Sequence, residues 1–207
     1  ILRVTGKSLG TFFREEVGDQ HEIDFFIGLP ESEDHRVAEL VPFELVSNRN
    51  SEQQVELTEA QKSQANSAGT LNIHNTKAWR QAEIPSANGQ GSAGGLAKLY
   101  SLIVPEDNSL KLLKDDTVNQ MTTMQIEGRD LVLAVQVRWG VGFILNKHKI
   151  IYGPIEGAFG HSGYGGSCAF GDPENKIGVS YVMNRMLDNF NADGRSIELI
   201  NATYDCL

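Results

Sequence analysis

An α+β fold, an antiparallel sheet flanked by helices, is predicted by three features of the 207-residue chain. Strand-length apolar runs follow one another late in the sequence and are joined by short turns, as hairpins are and βαβ crossovers are not. A helix-periodic segment closes the chain and suits a cover for one face of that sheet. Two further segments of helical spacing precede these strands, over 94–104 and 115–124. Composition agrees with a globular domain, at 40% hydrophobic and 22% charged residues. The net charge of −9, with no Lys or Arg run, argues against a nucleic-acid partner. No apolar stretch approaches the roughly eighteen residues of a membrane span.

Taken in order, SLGTFFREEV (8–17) places Leu9, Phe12, Phe13 and Val17 on one helical face, with Ser8 as N-cap. Pro30 opens an acidic stretch, and RVAELVPF (36–43) alternates as a short strand closed by Pro42. Residues 47–92 are polar, with a short helix over 57–66 and little core material, and read as a surface excursion. GGLAKLYSLIV (94–104) sets Leu96, Leu99, Leu102 and Ile103 at helical spacing and stops before Pro105. A second helix fits 115–124. LVLAVQVRWGVGFIL (131–145) mixes β-branched and aromatic residues over strand lengths broken by Gly140 and Gly142. SCAFG (167–171) and IGVSYVMN (177–184) are strands joined by DPENK, whose Asp-Pro start suits a turn. RSIELINATYDCL (195–207) puts Ile197, Ile200, Tyr204 and Leu207 on one helical face.

Cys168 and Cys206 form no CxxC pair and read as small buried hydrophobes, with a lean toward a reducing, cytoplasmic compartment. The chain starts at Ile1 without a charged-then-apolar leader, as a processed or partial chain would.

The densest stretch is FGHSGYGGSCAFG (159–171). Clustered glycines weaken a strand, and they are tolerated where a ligand or another backbone comes close. Alone, His161-Ser162-Gly163 reads as a polar loop. GHSGY misses the G-x-S-x-G elbow at its last position, which Tyr164 occupies, and GGSCA misses it too. A His161–Cys168 dyad is disfavoured, because a spacing of seven sends the two side chains to opposite faces of a strand. His21, His35, His74 and His148 are scattered, without metal-ligand spacing, and no cofactor is expected. The acidic runs EEV and ESED read as solvated faces. GQGSAGG (89–95) lacks the ending of a P-loop.

Context changes the reading. FFREEVG (12–18), FIGLPE (26–31), HRVAEL (35–40), IPSANGQGSAGGLAKLY (84–100), GVGFIL (140–145) and the closing FGHSGYGGSCAFGDPENKIGVSYVMNRM (159–186) occur in one order. In that order they resemble the serine β-lactamase and penicillin-binding-protein superfamily, and within it the class C-like β-lactamase-related proteins and esterases. There His-(Ser/Thr)-Gly replaces Lys-Thr-Gly. The resemblance implies a β-lactamase/transpeptidase-like fold, incomplete at its N-terminus. Residues 1–207 would be the C-terminal part of a single domain, with 28–110 a helical and loop excursion and 131–207 the sheet strands plus the last helix.

It further implies an acyl-serine mechanism in which a Ser-x-x-Lys serine attacks a carbonyl and a Tyr-x-Asn tyrosine shares the proton transfers. His161, Ser162 and Gly163 would form one cleft wall, imidazole and hydroxyl both facing the ligand, and the Tyr164 N–H would be one of two oxyanion donors. Gly163, Gly165 and Gly166 would let substrate approach the backbone. Trp139 and Phe143 fit the core, with the approach to the site as the alternative, and Arg185 would cap or pair with the terminal helix.

Neither Ser-x-x-Lys nor Tyr-x-Asn occurs in the chain. Ser86-Ala87-Asn88 spells Ser-x-Asn, but it lies in a block that follows the catalytic tyrosine in similar proteins and reads as a turn. The nucleophile, its lysine and its tyrosine are therefore expected upstream, and this chain alone is expected to be inactive. A lysine is cationic at neutral pH, whereas an unperturbed imidazole, with a pKa of about 6.5, is mostly neutral. That shifts the expected substrate from carboxylate-bearing β-lactams toward a small-molecule or peptide ester or amide. The alternative is a non-catalytic remnant of the same fold that binds a partner.

Overall fold

The computed structural model describes residues 1–42, 73–133, 135–149, 151–187 and 193–207. The helix expected over 57–66, and most of the 47–92 excursion, lie outside them.

Six strands form a purely antiparallel meander in the order β3-β4-β5-β6-β7-β8: Ile126–Arg129, Gln136–Trp139, Ile144–Leu145, Phe159–Ser162, Cys168–Asp172 and Ile177–Tyr181. Each strand pairs with its sequence neighbour, which is why short turns sufficed to announce the sheet. Side chains alternate across it. One face carries Ile144, Cys168 and Phe170, packed with Tyr152, Val179, Tyr181 and the terminal helix residues Ile197, Ile200 and Tyr204. The opposite face carries Phe159 and Ala169, covered by Tyr100, Ile103, Val104, Val118 and Met121. Helices therefore lie on both sides of one sheet.

A smaller N-terminal layer holds the helices α1 (Leu2–Thr5), α2 (Leu9–Phe13) and α3 (Lys77–Gln81). Its two-stranded sheet pairs β1 (Phe25–Ile27) antiparallel with β2 (Gly89–Gly91). Ser8 caps α2 by accepting from Thr11 N, as expected. The helix does not continue to 17 as an α-helix; Arg14–Gly18 is a π-helical turn. Arg14 reaches from it to donate to the Ile23 carbonyl at 3.0 Å and lies over the Phe26 ring. Asn88 is buried and ties this layer: its Nδ2 donates to Trp79 O and Ala82 O, and its Oδ1 accepts from Ile84 N. The Ser-Ala-Asn triplet is thus a turn lock.

The main helices sit close to prediction. α4 (Ala93–Ser101) starts at Ser92, whose side chain accepts from Gly95 N, and turns out through Val104 before Pro105. α5 spans Asp115–Thr122, and α6 spans Gly194–Tyr204. α4 lies directly on β8. A Cβ at Gly178 would strike the Ala97 carbonyl and the Ser101 amide, so only glycine permits that approach.

Several expectations need correction. Residues 36–42, the described part of the strand expected over 36–43, do not form one: Glu31–Arg36 is a 3-10 helix, followed by a parallel bridge, Val41 to Arg185. Arg36 is drawn to Asp24 and Glu33, and proline at 42 has no N–H for a ladder. The first residues of 131–145 form a turn, held by Asp130 Oδ1 accepting from Val132 N and Leu133 N, and β3 lies before it. Ile-Glu-Gly-Arg gave β3 no apolar signature. The last strand ends at Tyr181. The apolar stripe of the final helix ends at Tyr204, leaving Leu207 68% exposed. Cys168 is buried as expected, whereas Cys206 is exposed.

Candidate active site

The glycine-rich stretch forms β6, β7 and the loop between them, and hydrogen-bond parity decides which way each group points. Gly163 N donates to Ser167 O at 2.7 Å, so residues 159, 161 and 163 direct their backbone groups to β7. The alternate residues, Gly160 and Ser162, direct theirs to the β5 side. β5 has only two residues, which pair with Phe159 and Gly160. Beyond Gly160 that edge of β6 has no ladder partner among the described residues.

His161 stands at this edge. Its side chain is exposed, and its Nδ1 lies 2.7 Å from the Ser162 carbonyl oxygen. The Trp139 ring lies 5.5 Å from the imidazole, tilted by 39°. Trp139 thus borders the core and also flanks His161. Phe143 instead packs edge-on against Tyr100 and Phe159, within the core.

Ser162 departs from expectation. Period-two alternation sends its side chain to the face opposite His161. There it is 7% exposed, its hydroxyl 3.3 Å from that of the fully buried Tyr152. Imidazole and hydroxyl do not face one ligand together; the hydroxyl anchors the strand from behind. Cys168, directly opposite Ser162 in the ladder, shares that buried face. Burial pushes its thiol up to about 11, which leaves it protonated and unreactive at neutral pH.

The loop after β6 is tightly determined. Gly166 N donates to Gly163 O at 3.2 Å and closes a turn. The trans peptide then points the Tyr164 N–H opposite to the Gly163 carbonyl, on the open-edge side. Gly165 and Gly166 have φ of 96° and 114°, a region L side chains avoid. Leu187 N donates to Gly165 O at 3.0 Å, and Met183 and Met186 close over Gly165. The Asp193 carboxylate occupies the space a Gly166 side chain would need.

Asp193 also caps α6, accepting from Arg195 N and Ser196 N, and is paired with the Arg195 guanidinium at 2.5 Å. That pairing holds its carboxyl below the usual carboxylate range, against the opposing effect of burial. Arg195 continues to the Arg185 carbonyl at 3.1 Å, so Arg185 meets the terminal helix through its backbone. Tyr152, Asp193 and Arg195 were not anticipated. Tyr152 lies in no motif, and an N-capping Asp before a helix was the one available signal for Asp193. No group of His, Cys, Asp and Glu suited to a metal occurs among the described residues.

The fold defines a class: the β-lactamase-related, penicillin-binding-protein-like architecture. The β-lactamase family model matches residues 1–202, and the chain belongs to that family. It is 30% identical over 203 residues to the esterase/β-lactamase LipL of Mycobacterium tuberculosis, covering 89% of this chain and 44% of that protein. The crystal structure of a family VIII carboxylesterase superposes with a TM-score of 0.85 at 41% identity, covering 100% of this chain and 54% of the other. A penicillin-binding-protein homolog from Caulobacter crescentus gives 0.82 at 36% identity, with coverage of 100% and 54%. The chain spans about half the length of these relatives.

Proposed function

We propose that the chain is the C-terminal part of a serine hydrolase domain that cleaves an ester, amide or peptide through an acyl-serine intermediate. The open edge of β6 is one wall of its acyl pocket. The turn closed by Gly166 N on Gly163 O, which directs the Tyr164 N–H away from β7 and beside an edge with no ladder partner among the described residues, is the observation that supports this reading most. An acyl carbonyl laid along that edge meets a fixed donor as negative charge develops on its oxygen. His161 and Gly163 border the acyl group. Ser162 contributes its backbone to the edge, and its hydroxyl only through Tyr152. The serine nucleophile, with its lysine and tyrosine, comes from a segment outside residues 1–207, in keeping with a chain that spans about half of its relatives.

In the reaction the serine oxygen bonds to the acyl carbon and loses its proton to the base. The leaving group departs with a proton, and water then frees the acyl group as an acid. A fluorophosphonate probe on the complete protein, followed by peptide mapping, should label one Ser-x-x-Lys serine. Short-chain p-nitrophenyl esters should turn over faster than a chromogenic cephalosporin. Absence of labelling would favour the non-catalytic reading, and efficient lactam turnover without esterase activity would reassign the substrate.

A further inference from the structure

His161 differs from the lysine of related sites in more than charge. A carbonyl oxygen can only accept, so the 2.7 Å contact between Nδ1 and the Ser162 oxygen places a proton on Nδ1. The Ser162 carbonyl is held for this role: parity turns it to the β5 side, and β5 ends before reaching it. The neutral ring then carries its lone pair on Nε2, the atom opposite the contact. The ring is further oriented by Trp139, 5.5 Å away.

We infer that His161 recognises a hydrogen-bond donor on the substrate, an amide N–H or a hydroxyl near the scissile acyl group, through its bare Nε2. A lysine at that position can only donate and so selects an acceptor such as a carboxylate. The exchange of Lys for His at this edge therefore inverts the hydrogen-bond polarity of the subsite. A carboxylate-ended ligand would bring its lone pairs against that of Nε2, whereas an amide-ended ligand would be bound. Both ligands cover the same area and differ in this one contact. The preference should therefore be about fivefold, the value of one net hydrogen bond.

This inference rests on the acyl-pocket reading only for the identity of the ligand, and two measurements keep them separate. Long-range 15N–1H correlation spectra at pH 8 distinguish a protonated ring nitrogen from a bare one, with His161→Gln assigning the resonance. His161 should show its proton on Nδ1. Titration with N-acetylglycinamide should then perturb Nε2 and bind about fivefold tighter than N-acetylglycine, with His161→Lys reversing the order and His161→Gln abolishing it. A proton on Nε2, or equal or tighter binding of N-acetylglycine to the unaltered protein, would overturn the inference. Missing fluorophosphonate labelling with the Nδ1 proton and the ligand order intact would instead sink the hydrolase reading alone.

Discussion

Ser162 shows how one residue changes role once its neighbours are known. Its hydroxyl is the buried partner of the Tyr152 hydroxyl, so Ser162→Ala strands a phenol without its partner. A loss of about 1–3 kcal/mol of stability is expected in denaturant titrations. Tyr152→Phe in the same background should recover part of it. A Ser162→Ala protein of unchanged stability but lower substrate affinity would restore the hydroxyl to the ligand side. The Tyr164 amide makes a second test. Tyr164→Pro removes the N–H and Tyr164→Phe keeps it. On the acyl-pocket proposal, the proline variant of the complete protein should lose about 10²–10³ in kcat and the phenylalanine variant little, with melting curves showing both folded.

The tight loop after β6 was legible from the sequence, because clustered glycines beside a polar triplet are costly without a reason. The partition of imidazole and hydroxyl to opposite faces was legible too, in the period of two, but the family pattern obscured it. Tyr152 was not legible, because no local feature links residue 152 to residue 162.

At the scale of elements, the sheet was readable wherever turn chemistry marked its hairpins, as between β7 and β8. It was unreadable at β3, whose Ile-Glu-Gly-Arg carries one apolar side chain. The short strand expected over 36–43 failed because alternation alone cannot supply a partner strand, and proline denies the ladder a donor. α6 shows an element whose end matters as much as its stripe. Its cap Asp193 faces the glycine loop, so acid should loosen both. The Asp193 carboxyl is depressed in the folded state, chiefly by Arg195. Its contribution is therefore complete above the unfolded value of about 3.9 and is lost as pH falls through the lower folded value. Stability measured from pH 5 down to pH 2 should drop less steeply in Asp193→Asn than in the unaltered protein. At pH 7, Asp193→Ala should cost about 0.5–2 kcal/mol through the lost cap. Parallel acid profiles for the two proteins would contradict this assignment.

At the scale of the whole molecule, the six-stranded sheet is covered on both faces, and its two outer strands each have one ladder partner among the described residues. β8 is bonded to β7 on one side and has no second partner among the described residues. The Ser180 hydroxyl oxygen on it is buried without a hydrogen-bond partner. An edge of this kind is a template for another strand. Residues 1–207 expressed alone should bind an apolar dye and self-associate, as measured by fluorescence and sedimentation. A dye-silent monomer with a cooperative melt would show that the edge is already protected.

The brevity of β5 has a consequence for how this architecture can be altered. Ile144 faces Gly160 and Leu145 faces Phe159, so a longer strand would bring residue 142 opposite Ser162. Gly142 instead adopts φ of 83° and swings the chain out of register. On the acyl-pocket proposal, the left-handed glycine in this turn helps to keep that edge of β6 free of a ladder partner among the described residues. A β-branched residue there, if it drew the turn back into the ladder, would zip the sheet shut over the edge proposed to receive the acyl group.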